Sequence, residues 1–236
     1  MSSSTTLPKV LIVLTSADKT VDGHPTGFFI SEIAHPFSKI ATHVDVTFAS
    51  PKGHSVVDPA SVEMFKEDIE SMSFLKDRAD KYQKNVPLSE INPREYDAVF
   101  VPGGHGPSVD LITDNTFARV LSGVYQAGKP VAAICHAAGT LGSVVDRNGN
   151  SIYNGRTATA FSNLEEEQVG KVQSVKELPE DHIKRHGGSY VKAAEPWGER
   201  VVVDKNSDGI LITGQNPASG HKLGEELLKA IRETVA

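Results

Sequence analysis

The stretch Val131-Ala132-Ala133-Ile134-Cys135-His136-Ala137-Ala138-Gly139 decides the fold. Its apolar start has the length and composition of a buried strand. Cys135, the only cysteine in 236 residues, ends that strand; a histidine follows at once, and small residues then read as the opening of a helix. A strand running sharply into a helix pushes the turn residue over the carboxyl edge of the sheet, where substrates reach it. The pattern is that of a nucleophile elbow. The reactive form is the thiolate, and the free N–H groups of a helix start are expected to lower the thiol pKa below its usual value of about 8.5. The competing reading is an inert cysteine that fills a core position as a small hydrophobe.

Working outward, the elbow strand has companions. Residues 9–15 and 96–101 are apolar, β-branched runs, 44–50 alternates like a strand, and 201–204 with 209–214 read as a final strand pair. A short strand is expected near 156–160. Between them, helical spacing of Phe29, Ile33, Phe37 and Ile40 predicts a helix over 28–41, which Pro36 should kink or interrupt. Further helices are expected over 60–82, over 113–127 with Asp114 at its start, and at the end of the chain, where Leu223, Leu227, Leu228 and Ile231 form the buried face. Strands alternating with helices call for an α/β fold: a mostly parallel sheet with right-handed crossovers, covered by helices on both faces.

Composition bounds the function. A net charge of −6 lacks the basic balance that nucleic acid or an anionic membrane requires, so neither is expected as a partner. One cysteine cannot form an internal disulfide, and no basic start with an apolar stretch precedes the first strand, so a cytoplasmic protein is expected. Residues 1–8 read as a disordered polar tail and 9–236 as one domain.

Several residues carry chemistry. Glu32 falls inside the apolar stripe of the first helix; its carboxylate either points inward, where burial raises its pKa toward acid–base use, or sits on the helix edge in water. Pro102-Gly103-Gly104-His105-Gly106 follows a strand directly and is either an oxyanion site built of backbone N–H groups or a plain turn. Its spacing does not fit a nucleotide-binding loop. The cluster Glu165-Glu166-Glu167 is either a solvated helix start or the source of an acid. His182 and His186 have the spacing of a zinc pair, but Ile183 stands where the zinc motif has glutamate, and no metal is expected. Trp197, the sole tryptophan, lies in a loop as either core or pocket wall.

Taken together, Thr26-Gly27-Phe28 with Glu32 and His35-Pro36, then residues 102–106, Ile134-Cys135-His136 and Thr213-Gly214-Gln215-Asn216-Pro217-Ala218-Ser219, make the chain similar to the PfpI-like superfamily with its class I glutamine-amidotransferase-like fold. Within that superfamily it resembles the branch of glutathione-independent glyoxalases (glyoxalase III) and stress chaperones. The resemblance implies a flavodoxin-like three-layer sandwich with Cys135 as nucleophile, His136 as its base or charge partner, Glu166 as the orienting acid and Glu32 in proton transfer. It places Gly104, His105 and Trp197 at the oxyanion and substrate-binding site, with the N–H groups of Gly104 and His136 as donors. The implied activity is that of a glyoxalase III type lyase (D-lactate dehydratase), turning methylglyoxal into lactate through a Cys135 hemithioacetal, with no metal or organic cofactor, in a homodimer. A holding chaperone, a protein or nucleotide deglycase and a cysteine peptidase or amidase are the alternatives. Class I amidotransferases carry a downstream His-x-Glu, and no histidine here is followed by glutamate two residues later. The branch commonly reads Cys-His-Gly-Pro where this chain has Cys135-His136-Ala137-Ala138, and often glycine at Ala160; these departures bear on substrate range.

Overall fold

The structure is a computed structural model that describes residues 6–235. The chain opens with β1 (Lys9–Val13), α1 (Ile30–Ile40) and β2 (Asp45–Ser50), then runs through α2 (Pro59–Met64), α3 (Ile69–Asp77), α4 (Ala79–Gln83) and the short β3 (Val86–Pro87). β4 (Ala98–Val101), α5 (Asn115–Gln126) and the elbow strand β5 (Val131–Ile134) follow. After β6 (Thr157–Ala158), α6 (Asn163–Val169), α7 (Pro179–Arg185) and β7 (Ser189–Tyr190), the chain closes with β8 (Val201–Asn206), β9 (Gly209–Gly214) and α8 (Gly220–Val235).

Seven strands form one sheet in the order β3-β2-β1-β4-β5-β9-β8, parallel throughout except for the β8–β9 hairpin. β6 and β7 pair separately, in parallel. Period-two alternation sorts the central strands onto two cores. Leu11, Val13, Val99, Val101, Val131 and Ala133 face α5 and Ile183 of α7, while Val10, Ile12, Ala98, Phe100, Ala132 and Ile134 face α1, α3 and α8. Helices thus cover both faces of the sheet, the three-layer α/β sandwich expected from the strand pattern. Leu223, Leu227 and Ile231 of α8 are fully buried; each contributes on the order of 1.5–3 kcal/mol.

Several expectations are corrected in detail. The first helix begins at Ile30, because Phe28 and Phe29 are extended and donate their N–H groups to Val56 and Gly103. α1 runs through Pro36, which lies against α8: a Cβ on Gly224 would come within 2.7 Å of Pro36 Cα, so glycine permits this close crossing. The residues after Cys135 form 3-10 turns at Ala137–Gly139 and Leu141–Ser143 and not an α-helix. Gly139 and Gly142 weaken a helix there, and Pro179 of α7 occupies the adjoining space, 2.4 Å from where a Gly139 Cβ would stand. The strand expected near 156–160 shrinks to β6, and β3 and β7 are too short to leave a periodic signal. Of the expected polar tail, residues 1–5 lie outside the described residues, while Pro8 already accepts a 2.8 Å hydrogen bond from the Asp45 N–H. No helix of the described residues is long and apolar enough to cross a membrane.

Candidate active site

Cys135 sits at the carboxyl end of β5 with a φ of 59°, a left-handed conformation that costs a non-glycine residue about 1–2 kcal/mol. Its N–H is tied to the Gly214 carbonyl at 2.8 Å, so β9 holds the strained turn in place. The turn aims the sulfur at Nδ1 of His136, 3.2 Å away. On the far side of that ring, Nε2–H donates to Glu166 Oε2 at 2.5 Å. With Nε2 committed to Glu166, Nδ1 of the neutral ring is free to accept the thiol proton, the logic of a Cys–His–acid triad. His105 donates from Nε2 to the other oxygen, Glu166 Oε1, at 2.9 Å, and its ring lies 4.1 Å from that of His136. The carboxylate therefore orients two imidazoles at once.

The three consecutive glutamates separate through the start of α6. Ser162 accepts from the Glu165 N–H while the Glu165 carboxylate reaches back to the Ser162 N–H, a capping box. That fixes the helix phase: Glu165 turns to its own helix end, Glu166 faces the histidines, and Glu167 is exposed. Burial by itself raises the Glu166 carboxyl, but the facing His136 and His105 more than reverse it and hold the group well below the usual carboxylate range. The His105 imidazole is pushed down to about 4, first by burial and then by its His136 neighbour.

Glu32 does point inward from α1 and is fully buried. Neither of its carboxyl oxygens makes a well-formed hydrogen bond; the Cys135 thiol and the Gly104 N–H are the polar groups that face it. Burial raises its pKa to about 8. The expected acidification of the thiol is reversed: burial, with the Glu32 carboxyl beside it, pushes Cys135 well up, because a closed 3-10 turn and an acidic neighbour replace the open helix start. The two groups form a buried acid pair in which ionising one opposes ionising the other. The Gly104 and His136 N–H groups both face the sulfur, and neither donates to a backbone carbonyl among the described residues. Gly104 has a φ of 96°, and a Cβ there would lie 2.6 Å from the Gly27 carbonyl oxygen; only glycine brings this N–H into the site.

Above this floor opens a cavity of about 440 Å³ with Cys135, Glu32, His105 and His136 on its lining. Phe29 and Phe65 form one wall, edge to face at 5.7 Å, with Met64 beside them. Phe161 and Trp197 form another at 5.5 Å, and Phe161 also lies 4.8 Å from the His136 ring. Trp197 is thus a pocket wall. It too adopts a left-handed backbone, at φ 64°, held by its N–H donating to Glu165 Oε1 at 2.9 Å and by its indole N–H donating to Gln168 at 2.7 Å. The Glu165 carboxylate also accepts from Gln215 and Asn216, joining α6, the tryptophan loop and the segment after β9.

Two groups among the described residues bring enough ligand atoms together to share a cation: His105, His136 and Glu166 in the site, and His35, Glu70 and His221 outside it. In the first, both oxygens of Glu166 already serve the imidazoles, so a cation there would have to break the arrangement that orients them. His182 and His186, read as a possible zinc pair, are structural: His182 Nδ1 donates to Glu177 at 2.7 Å, and its ring stacks tilted on His186. Sequence reasoning named His105 as a substrate-site residue but missed its pairing with Glu166, and it missed the walls Phe29, Met64, Phe65 and Phe161. The Ser162-x-x-Glu165 capping box was the local signal that sets which glutamate faces inward; the wall residues carry none, being scattered over more than a hundred positions.

A family model described as the DJ-1/PfpI family matches residues 31–230. The glutathione-independent glyoxalase HSP31 of Saccharomyces cerevisiae is 28% identical over 236 residues, spanning 95% of this chain and 98% of the relative. Glyoxalase 3 of Candida albicans is 29% identical, spanning 94% and 98%. Among solved structures, glyoxalase III from Candida albicans superposes with a TM-score of 0.82 at 28% identity over 94% of this chain and 97% of that one. The 24 kDa rapid encystment protein of Francisella tularensis does so with a TM-score of 0.86 at 30% identity over 95% and 99%. An elbow cysteine at a parallel strand end, a matching family model over most of the chain and this full-length structural agreement give one conclusion: the chain belongs to the DJ-1/PfpI family.

Proposed function

We propose that this protein is a glutathione-independent glyoxalase that converts methylglyoxal into lactate. The observation that carries the reading is Glu32, a buried carboxyl without a hydrogen-bond partner, raised to about 8, facing the elbow cysteine. Hydrolysis needs a nucleophile, a base and oxyanion donors. A second proton carrier on the other side of the sulfur is surplus for a peptidase or amidase, and is required for moving hydrogen between adjacent carbons.

The Cys135 sulfur adds to the aldehyde carbon, its proton passing to the former carbonyl oxygen, while the Gly104 and His136 N–H groups hold the developing negative charge. Removal of one such donor typically costs about 10²–10³ in rate. Glu32, as carboxylate, takes the hydrogen from the carbon now bonded to sulfur, giving an enediol, and returns a proton to the neighbouring carbon. The product of that transfer is a lactoyl thioester on Cys135. His136, oriented by Glu166, takes a proton from water as it attacks the thioester; the carbon–sulfur bond breaks and lactate leaves with the thiol restored. No redox partner enters the balance, and we propose that neither metal nor organic cofactor takes part.

The test is lactate formation from methylglyoxal without glutathione or added metal, for wild type, Cys135→Ala and Glu32→Gln, each checked for folding by circular dichroism. Turnover by wild type and its loss in both folded variants supports the reading; an inactive wild type overturns it. A chiral lactate assay tests the proposed D enantiomer. We also propose a homodimer in the cytoplasm, tested by light scattering and by imaging of the tagged protein.

A further inference from the structure

The cavity is much larger than methylglyoxal requires. At about 440 Å³ it falls within the roughly 300–1,000 Å³ of pockets that hold drug-sized ligands, whereas the reacting groups occupy only its floor. The rest is shaped for something apolar. Phe29 with Phe65 and Phe161 with Trp197 present two edge-to-face aromatic pairs, and Met64 adds a flexible thioether. Met64 and Trp197 are large apolar side chains left 68% and 42% exposed at the mouth.

Two polar groups of the upper cavity, Asp58 and Asn216, are already committed, and Lys171 adds a charged side chain to the lining. The Asp58 carboxylate accepts from Thr26, Ala60 and Ser61, and Asn216 donates to Glu165 and Gly198. A substrate tail therefore meets mainly ring faces, ring edges and sulfur, with the partly exposed Lys171 side chain beside them. The tryptophan is placed there against its backbone preference: among the described residues the two non-glycine positions with positive φ are the nucleophile and this indole. A strained position retained beside a strained nucleophile points to a role at the site.

We propose that the pocket selects 2-oxoaldehydes whose second substituent is a bulky apolar or aryl group, with the dicarbonyl on Cys135 and the substituent between the aromatic walls. The proposal rests on the glyoxalase reading and names its substrate class. Trp197, Phe65 and Met64 are then the specificity residues.

Phenylglyoxal and methylglyoxal are the probes, and the readout is the ratio of their kcat/KM values in each protein. Dividing a variant's ratio by that of wild type cancels the intrinsic reactivity of the two aldehydes. A single methylene in an apolar pocket changes discrimination by about 10–200-fold. We expect wild type to favour phenylglyoxal by at least about tenfold, Trp197→Ala to lower the ratio about tenfold, Met64→Ala to lower it several-fold, and Trp197→Phe to restore most of it.

A separate binding readout uses the sole tryptophan. In Cys135→Ala, acetophenone should quench Trp197 emission saturably and at lower concentration than acetone. Methylglyoxal turnover by a wild type whose ratio stays within about twofold in folded Trp197→Ala and Met64→Ala overturns the substrate class and leaves the glyoxalase reading standing. No turnover of either aldehyde, with acetophenone binding intact, overturns the glyoxalase reading and this substrate class with it.

Discussion

Two clusters in this molecule are built from the same residue types and differ in nearly everything else. In the elbow cluster Glu166 receives His136 and His105, and all three are at least nearly buried. In the other, α1, α3 and α8 bring His35 onto Asp68 at 2.9 Å and His221 onto Glu70 at 2.8 Å, with the two imidazoles stacked 4.2 Å apart and His221 and Glu70 well exposed. The outer cluster has carboxylates in one-to-one pairs, water on one side and no nucleophile. The inner one shares a single buried carboxylate between two rings and ends on sulfur. Histidine beside carboxylate is a common surface feature of small energetic weight; burial and a fixed line to a reactive atom are what turn it into chemistry.

That contrast can be broken most severely at the sulfur. Cys135→Ala should lower methylglyoxal turnover by at least about 10³-fold, measured as lactate release, with an unchanged circular dichroism spectrum. Glu32→Gln comes next, at about 10²–10⁴-fold. Its pH dependence sharpens the point, because the proposed base must be ionised. The folded-state pKa of about 8 lies above the usual 4.5, so wild-type kcat/KM should rise as pH increases through 8. Stability moves oppositely. A raised folded pKa contributes stability that is complete below about 4.5 and lost as pH rises through 8, up to about 5 kcal/mol at the limit. Urea midpoints at pH 5, 7 and 9 should fall for wild type and stay flatter for Glu32→Gln, so that the inactive variant gains on the active one as pH rises.

Glu166→Gln should follow at about 10²-fold, since the amide keeps the size of the group and loses the charge that orients both rings; a loss below twofold would equate the inner cluster with the outer. The smallest effect belongs outside. His221→Ala should leave lactate release within about twofold and cost less than about 1 kcal/mol in urea unfolding. A large activity loss there would show that the outer cluster positions α1, and through it Glu32.

The same contrast explains what the chain reveals before it folds. Cys135 and His136 were legible because an apolar run, a break and a sequence neighbour form one local pattern, and Glu32 was half legible, because a carboxylate inside a 3.6-residue stripe either turns inward or reaches water at the helix edge. The flanking β1, β4, β5 and β9 announce themselves as continuous apolar runs, the mark of strands covered on both faces. What stayed hidden is non-local. His105 meets Glu166 across 61 residues, and Phe65 faces the same cavity as Phe161 from another layer of the fold. The thiol pKa was misjudged for the same reason: the helix start was inferred locally, whereas burial and Glu32, which reverse it, arrive from a strand and a helix formed a hundred residues earlier.

The hydrogen bond from the Cys135 N–H to the Gly214 carbonyl has a consequence for the order in which the protein is made. β9 is one of the two strands that flank the elbow strand, and α8, which packs on the helix carrying Glu32, is later still. A chain emerging from the ribosome amino end first therefore exposes its cysteine long before the strand that bends it and the helix that seats its acid partner exist. The nascent thiol is an ordinary one. The bent elbow comes into being only with the last few dozen residues, so a truncated chain ending before β9 carries the cysteine without the geometry from which its reactivity is proposed.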